Sequence, residues 1–363
     1  MQKEIGSNFW LSDEDIKKDT KSLSSPSIFN CDGSDYVWLS TCRSAISLVI
    51  HTIEERNPNI NKRVCLPAFT CNTVFEPFIN VGYEFYPLNV GKDLGSNAQD
   101  LLNTILESKV GIVLFHRYFG FDTLYNIDSI IPILQENGIS IIEDCTQSMY
   151  SNIDRINADY YVGSIRKWCG VPDGGFAVCK HGYFSNKPQS YDIDLEKAKY
   201  EACIMKYNFL FNNKGEKEDF LIGYREAEDI LDKQDRFYNI APLSIKVQSN
   251  LDVDWMKNKR QENYRTLLNL LNKSNNIIPV FEELPENVVP LYFPILCMNR
   301  KEIQSTLVQN SIYAPIVWPK DEKCPKISID SDYIYDHILC IPIDQRYSSD
   351  DMERVAEILN NFN

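Results

Sequence analysis

From about Val37 to Cys179, short apolar runs alternate with longer stretches in which apolar residues recur every three or four positions. The longer stretches predict helices. They are SAISLVIHTIEE after a polar start, NTVFEPFINVG ending at Gly82, NAQDLLNTILESK, and NIDSIIPILQENG. The last has Asn126 or Asp128 near its start and Gly138 at its end. The short runs RVCLPA, YEFYPLNV, VGIVLFH, ISIIEDC, ADYYVGS and GGFAVCK predict strands. Strands that are apolar on both faces and separated by helices imply an α/β fold. Its mostly parallel sheet would be covered by helices on both sides. In such sheets ligands sit beyond the carboxyl ends of the strands, so the polar residues just after each run carry the interest.

The pattern changes twice more. Residues 182–235 are charged and helix-rich, including EKAKYEACIMKYNFLF and REAEDILDKQDRFY, and read as an insertion forming a solvated layer or an oligomer contact. After Leu243 a long helix around DVDWMKNKRQENYRTLLNLLNK leads to VVPLYFPILC, KEIQSTLVQN, HILCIPI and SSDDMERVAEILNNF. That order, helix–strand–helix–strand–helix, predicts a smaller α+β domain. Its last helix carries a capping-box pattern at Asp350 and Glu353. The expected organisation is an N-terminal arm over 1–36, a large domain over 37–245 and a small C-terminal domain over 246–363.

Length supports two domains, since 363 residues exceed what one simple core serves. Charge narrows the partners. Lys+Arg total 37 and Asp+Glu 51, so the net charge is 37 − 51 = −14. An acidic chain with no basic stripe repels phosphate backbones, which argues against nucleic acid. MQKEIGSNFWLSDEDIKKDT has no apolar signal core and no run elsewhere is long enough to cross a bilayer, so no membrane partner and a cytoplasmic location are expected. The 11 cysteines form no CxxC pair, and Cys65, Cys179, Cys297 and Cys340 lie in apolar runs, as reduced core thiols do. Neither they nor the 4 histidines show metal-ligand spacing.

The strand ends hold the candidate chemistry. ISIIEDC closes on Asp144, with Gln147 after it; VGIVLFH closes on His116, followed by RYFGF. ADYYVGS ends on Ser164 and leads to Lys167, flanked by Arg166 and Trp168; STCRSAI, with Cys42 and Arg43, opens the first helix. A lysine that forms a Schiff base must be reachable, with its amine partly deprotonated by burial or by a neighbouring cation. A carboxylate at a buried strand end can pair with a pyridinium nitrogen. A pyridoxal phosphate cofactor needs both, plus an anion hole such as a helix N-terminus. Each residue alone also has a plain structural reading. Asp144 can be a cap, Lys167 a solvated charge, Arg43 an ion-pair member, His116 a satisfied core histidine, and Asp173–Gly175 a turn. Their shared place at successive strand ends favours the chemical reading. Ser164-Ile165-Arg166-Lys167 also matches S-x-x-K, but the SDN and KTG partners of penicillin-binding chemistry are missing and the preceding residues read as strand.

IIEDCTQS followed by GSIRKWCGVPDGG resembles the DegT/DnrJ family of pyridoxal-phosphate aminotransferases. The resemblance spans most of the chain. STCRSAI is similar to the family's cofactor-phosphate turn, and LPAFTCNTVFEPFINVGYEFYPLNV to its Pro-x-x-Thr segment. HRYFG is similar to its His-x-x-Gly segment, and VPLYFPILC…IPIDQRYSSDDMERVAEIL to its small domain. The resemblance implies fold type I of the pyridoxal-phosphate transferases, with a seven-stranded type of sheet, and a homodimer. It implies amine transfer, in ping-pong fashion, from glutamate to a keto sugar linked to a nucleotide. Lys167 would hold the cofactor as a Schiff base and shuttle a proton. Asp144 would pair with the pyridinium nitrogen, and Gln147 would contact the ring's phenolic side. Ser164 and the N–H groups of Cys42 and Arg43 would hold the phosphate. Cys71 stands directly after Pro-x-x-Thr, where the family often places an aromatic residue on the cofactor ring, so the thiol, Phe69 or His116 would cover that face. FYNIAPLS, with Asn239, stands for the family's Asn-Tyr-Arg stretch, and WPKDEKCPK departs from its pattern. Two further readings remain open: a cofactor-binding scaffold without turnover, and another pyridoxal-phosphate reaction such as dehydration or a lyase step.

Overall fold

The structure, a computed structural model, describes residues 3–17, 25–272, 274–320 and 328–362. Part of WPKDEKCPK, residues 321–326, therefore lies outside the described residues. The principal strands are β1 (Asp35–Leu39), β2 (Arg63–Pro67), β3 (Glu84–Leu88), β4 (Ile112–His116), β5 (Ser140–Asp144), β6 (Tyr160–Ser164) and β7 (Gly175–Cys179). Three more follow, β8 (Ile277–Pro279), β9 (Phe293–Cys297) and β10 (Ile338–Ile341). The helices are α1 (Cys42–Arg56), α2 (Asn72–Asn80), α3 (Ala98–Ser108), α4 (Ile131–Glu136), α5 (Ile193–Asn212) and α6 (Lys217–Asp232). They continue with α7 (Pro242–Ser249), α8 (Val253–Leu270), α9 (Arg300–Gln309), α10 (Ile329–His337) and α11 (Ser349–Asn360).

The chain divides into two compact units, one built from Met1–Ser7, Asn57–Asp159 and Val253–Asn363, the other from Asn8–Arg56 and Tyr160–Asp252. In the first unit, β5, β4, β2 and β3 lie in that order and all run parallel. Every residue of IVLFH in β4 is buried, as expected of a strand covered on both faces. The register sets His116 opposite Asp144 at the carboxyl ends of β4 and β5. The same unit holds the antiparallel sheet β8-β9-β10. Tyr264 of α8 and Val355 of α11 are buried in one apolar cluster with Phe293 and Ile341 of that sheet. Residues Ile5 and Gly6 pair in parallel with Ile312 and Tyr313, and the Tyr347 hydroxyl bonds both the N–H and the carbonyl of Gly6.

In the second unit β7 lies between β1 and β6 and runs antiparallel to both. The α/β fold with a mostly parallel sheet flanked by helices thus holds, and β7 is the exception. Only residues 165–174 connect β6 to β7, too few for the helical crossover that parallel neighbours need. Other local differences have physical causes. NIDSIIPILQENG breaks into a 3-10 turn at Ile127–Ser129 and α4, because Pro132 lacks an N–H and is accommodated in a helix's first turn. The capping box of α11 is not Asp350 with Glu353 but Ser348 with Asp351: the Ser348 hydroxyl caps the Asp351 N–H and the Asp351 carboxylate returns to the Ser348 N–H. Strand β1 and helices α7 and α10 escape the sequence pattern, being short and mixed in polarity.

One polar residue sits inside the first unit's sheet. Glu143, next to Asp144 on β5, is fully buried. Its carboxylate accepts from Arg117 Nη1 at 2.6 Å, from Arg155 Nη1 at 3.2 Å and from the Ile156 N–H at 3.0 Å. Arg155 in turn bonds the hydroxyl and carbonyl of Ser148, which ties the loop after Asp144 to the strand. A buried carboxylate is tolerated only with this degree of pairing. Glu143→Gln removes the buried charge that Arg117 and Arg155 share, although Arg117 keeps Asp122 at 2.7 Å, and urea unfolding should show a loss of about 3 kcal/mol. An unchanged midpoint would mean that the network contributes nothing net.

Candidate active site

In the first unit the candidates line one edge of the parallel sheet. Asp144 is buried, and its Oδ1 accepts from the Thr146 N–H at 2.8 Å, an Asx turn that fixes the carboxylate at the strand end. Gln147 is also buried; its Oε1 accepts from the Phe119 N–H at 2.7 Å, which commits its acceptor and not its donors. His116 is buried, with Nε2 3.0 Å from Thr70 Oγ1. Its Nδ1 is buried with no hydrogen-bond partner. Burial lowers its pKa to about 4, so the ring is neutral at pH 7.

The sequence left three candidates for the cofactor's face. Phe69 is fully buried and packs against Tyr118, Trp318 and Tyr335, so it is a core residue. The His116 ring packs on Tyr118 and Trp318. Cys71 is half-buried at the N-cap of α2, where its sulfur accepts from Thr73 Oγ1 at 3.1 Å. Tyr335 of α10 bonds the N–H and carbonyl of Thr70 through its hydroxyl, which anchors the residue beside Cys71.

In the second unit the carboxyl ends of β1 and β6 and the start of β7 share an edge. Thr41 precedes α1, where its Oγ1 caps the Ser44 N–H at 2.9 Å and lies 2.8 Å from Ser44 Oγ. Cys42 and Arg43 begin a helix of 15 residues, so their N–H groups stand at its positive end. Gly175 explains the Gly-Gly pair. A Cβ there would come within 2.2 Å of the Thr41 carbonyl carbon and 2.6 Å of the Cys42 nitrogen. Only glycine lets β7 pass so close to the start of α1.

The Ser164 hydroxyl, expected at the phosphate, is otherwise engaged, and the Arg43 side chain forms the ion pair of its structural reading. Ser164 is buried and donates its hydroxyl to the Gly174 carbonyl at 3.2 Å, so its proton holds the β6–β7 turn. The Arg43 guanidinium pairs with Asp232 of α6 at 2.8 Å. Lys167 ends the short 3-10 turn Ile165–Lys167 and is exposed, while its neighbour Trp168 is fully buried and anchors the turn. Burial, one of the two expected means of activating its amine, is therefore not met. Asn239 is held by its own chain, with Nδ2 donating to the Pro188 carbonyl at 3.1 Å. The sequence reading missed Glu228, which pairs with Arg166 beside Lys167; its i, i+4 spacing to Asp232 on α6 was the available signal. The core thiols behave as expected: burial pushes Cys65 and Cys297 up to about 12.

No family model matches the sequence, and no curated protein does. Solved structures do match. PseC of Helicobacter pylori, an aminotransferase involved in the biosynthesis of pseudoaminic acid, superposes with a TM-score of 0.69 at 14% identity, covering 99% of each chain. A DegT DnrJ EryC1 StrS aminotransferase from Brucella abortus gives 0.64 at 18% identity, over 92% of this chain and 87% of that one. The Streptococcus pneumoniae protein Spr1654 in its PLP-form gives 0.67 at 11% identity, over 100% and 98%. The chain therefore has the fold of these aminotransferases along nearly its whole length.

The buried His116 yields a pH prediction. Between pH 6.5 and about 4 the unfolded chain takes up a proton at this ring that the folded chain refuses, so acid costs stability in that window. His116→Asn lacks this contribution. The stability difference between wild type and variant should therefore shift against the wild type by up to about 3 kcal/mol from pH 7 to pH 4. Denaturant unfolding at both pH values measures it; a constant difference would show that the folded ring protonates normally.

Proposed function

We propose that the protein is a pyridoxal-5′-phosphate-dependent aminotransferase that moves an amine from glutamate to a keto sugar, nucleotide-linked in the reading the sequence favours. The observation that carries the proposal is the near full-length fold match to sugar aminotransferases, combined with a lysine and a buried carboxylate at strand ends. The available groups suit a phosphorylated pyridine aldehyde. Asp144 offers a fixed anionic acceptor, α1 a positive helix end beside the glycine it requires, and His116 an unsatisfied buried nitrogen.

When bound, the cofactor supplies an aldehyde for amine exchange and a ring that withdraws electrons. Lys167 would bind the aldehyde through Nζ, and the same amine would carry the proton that leaves the substrate's α-carbon. Asp144 would keep the ring nitrogen protonated, a charge-assisted bond strengthened by burial. The N–H groups of Cys42 and Arg43 would bind the phosphate, with Thr41 and Ser44 fixing the helix start. Gln147 would donate from Nε2 to the ring's phenolic oxygen. Cys71 and His116 would limit the ring's other side. Ser164 would serve indirectly, by holding the turn that carries Lys167. The proposal includes a cytoplasmic homodimer, in line with the fold type.

Purified protein with pyridoxal phosphate should be yellow, and glutamate should bleach the visible band as the amine is taken up. Lys167→Ala should lose the covalent band. Asp144→Asn should retain cofactor but lose at least about a hundredfold in turnover, because a neutral amide cannot hold the ring nitrogen charged. A keto nucleotide sugar that restores the colour after glutamate identifies the acceptor. Colour that does not respond to glutamate would favour the scaffold reading, and normal turnover by Asp144→Asn would remove that residue from its role.

A further inference from the structure

The helical insertion is more than a solvated layer. Along α6, Glu228 and Asp232 stand four residues apart on one face, and each takes an arginine from the candidate edge of the second unit. Asp232 takes Arg43 from the start of α1. Glu228 takes Arg166, the residue before Lys167, at 2.5 Å. The same Glu228 oxygen accepts from Lys199 Nζ of α5, also at 2.5 Å. Just beyond α6, Gln234 accepts from the Ser40 hydroxyl at 2.9 Å. The insertion thus grips both the lysine turn and the helix start.

We propose that Glu228 is a positioning residue for Lys167: it holds Arg166 against Lys199 and so sets the charge around the lysine amine. The inference rests on the reading of Lys167 as the reactive amine. Lys167 is exposed, and its charge is felt at the Glu228 carboxylate. The cluster holds two cations and one carboxylate. Burial pushes Glu228 up, but Arg166 and Lys199 outweigh it, with Lys167 adding to the effect, and lower the carboxyl to about 2. Asp173 and Glu196 are the other charged groups coupled to this network, Asp173 through Arg166 and Glu196 through Asp173. Without the Glu228 charge, Arg166 and Lys199 repel the Lys167 proton more strongly. Without Arg166, the carboxylate holds that proton more strongly.

The test is acetylation of Lys167 across pH, followed by mass spectrometry on the full chain without cofactor, with other exposed lysines as internal references. Glu228→Gln should raise the reactive fraction of Lys167 at a given pH about threefold, and Arg166→Gln should lower it by a similar factor. Opposite directions are the signature of charge, since a packing defect would move both variants the same way. Profiles that match wild type, or that shift together, overturn the proposal. Should Glu228→Gln not fold, Arg166→Gln decides alone: a fall supports the proposal and no change ends it. Labelling needs no cofactor, so a protein that never turns yellow would sink the aminotransferase reading while leaving this result to stand or fall separately.

Discussion

A strand buried on both faces can present a polar side chain to a ligand only where it stops. That constraint organises the molecule. β4 and β5 are sealed along their length, and His116 and Asp144 emerge together in register at their ends. Glu143, one residue earlier, shows the cost of placing charge within the strand: it needs two arginines and a backbone N–H to be accommodated. Arg155 then ties down the loop that carries Gln147 through Ser148. The same rule governs the second unit, where Ser164 closes β6, Lys167 follows it and Thr41 follows β1.

Much of this was legible in the chain because burial leaves a strong periodic signature. IVLFH and SIIED could hardly be anything but buried strands, and their terminal polar residues were the natural places to look. What escaped depended on spacing and partners rather than on pattern. β7 runs antiparallel because its link to β6 is short, which is a matter of geometry and not composition. The cap of α11 moved to Ser348 because the whole Ser–Asp pair fits the first turn there. Phe69 looked able to cover a ligand but was claimed by Trp318 and Tyr335, hundreds of residues away in sequence. The exposure of Lys167 could not be read locally, since its neighbour Trp168 is fully buried.

The electrostatics differ between the two edges. In the first unit the polar groups are buried and individually fixed by short hydrogen bonds, and His116 is kept neutral. In the second, charges are partly solvated and shared among Arg43, Arg166, Lys199, Glu228 and Asp232. An overall net charge of −14 says nothing of this local balance.

The pairing of Ile5–Gly6 with Ile312–Tyr313 has a consequence for biosynthesis. The opening segment meets its neighbour only after some three hundred further residues have been translated, about 15 to 60 seconds at ordinary ribosomal speeds. Through that interval residues 57–159 wait as well for the C-terminal part of their own unit. The second unit, complete once residue 252 has left the exit tunnel, can settle while the first still lacks its last segment.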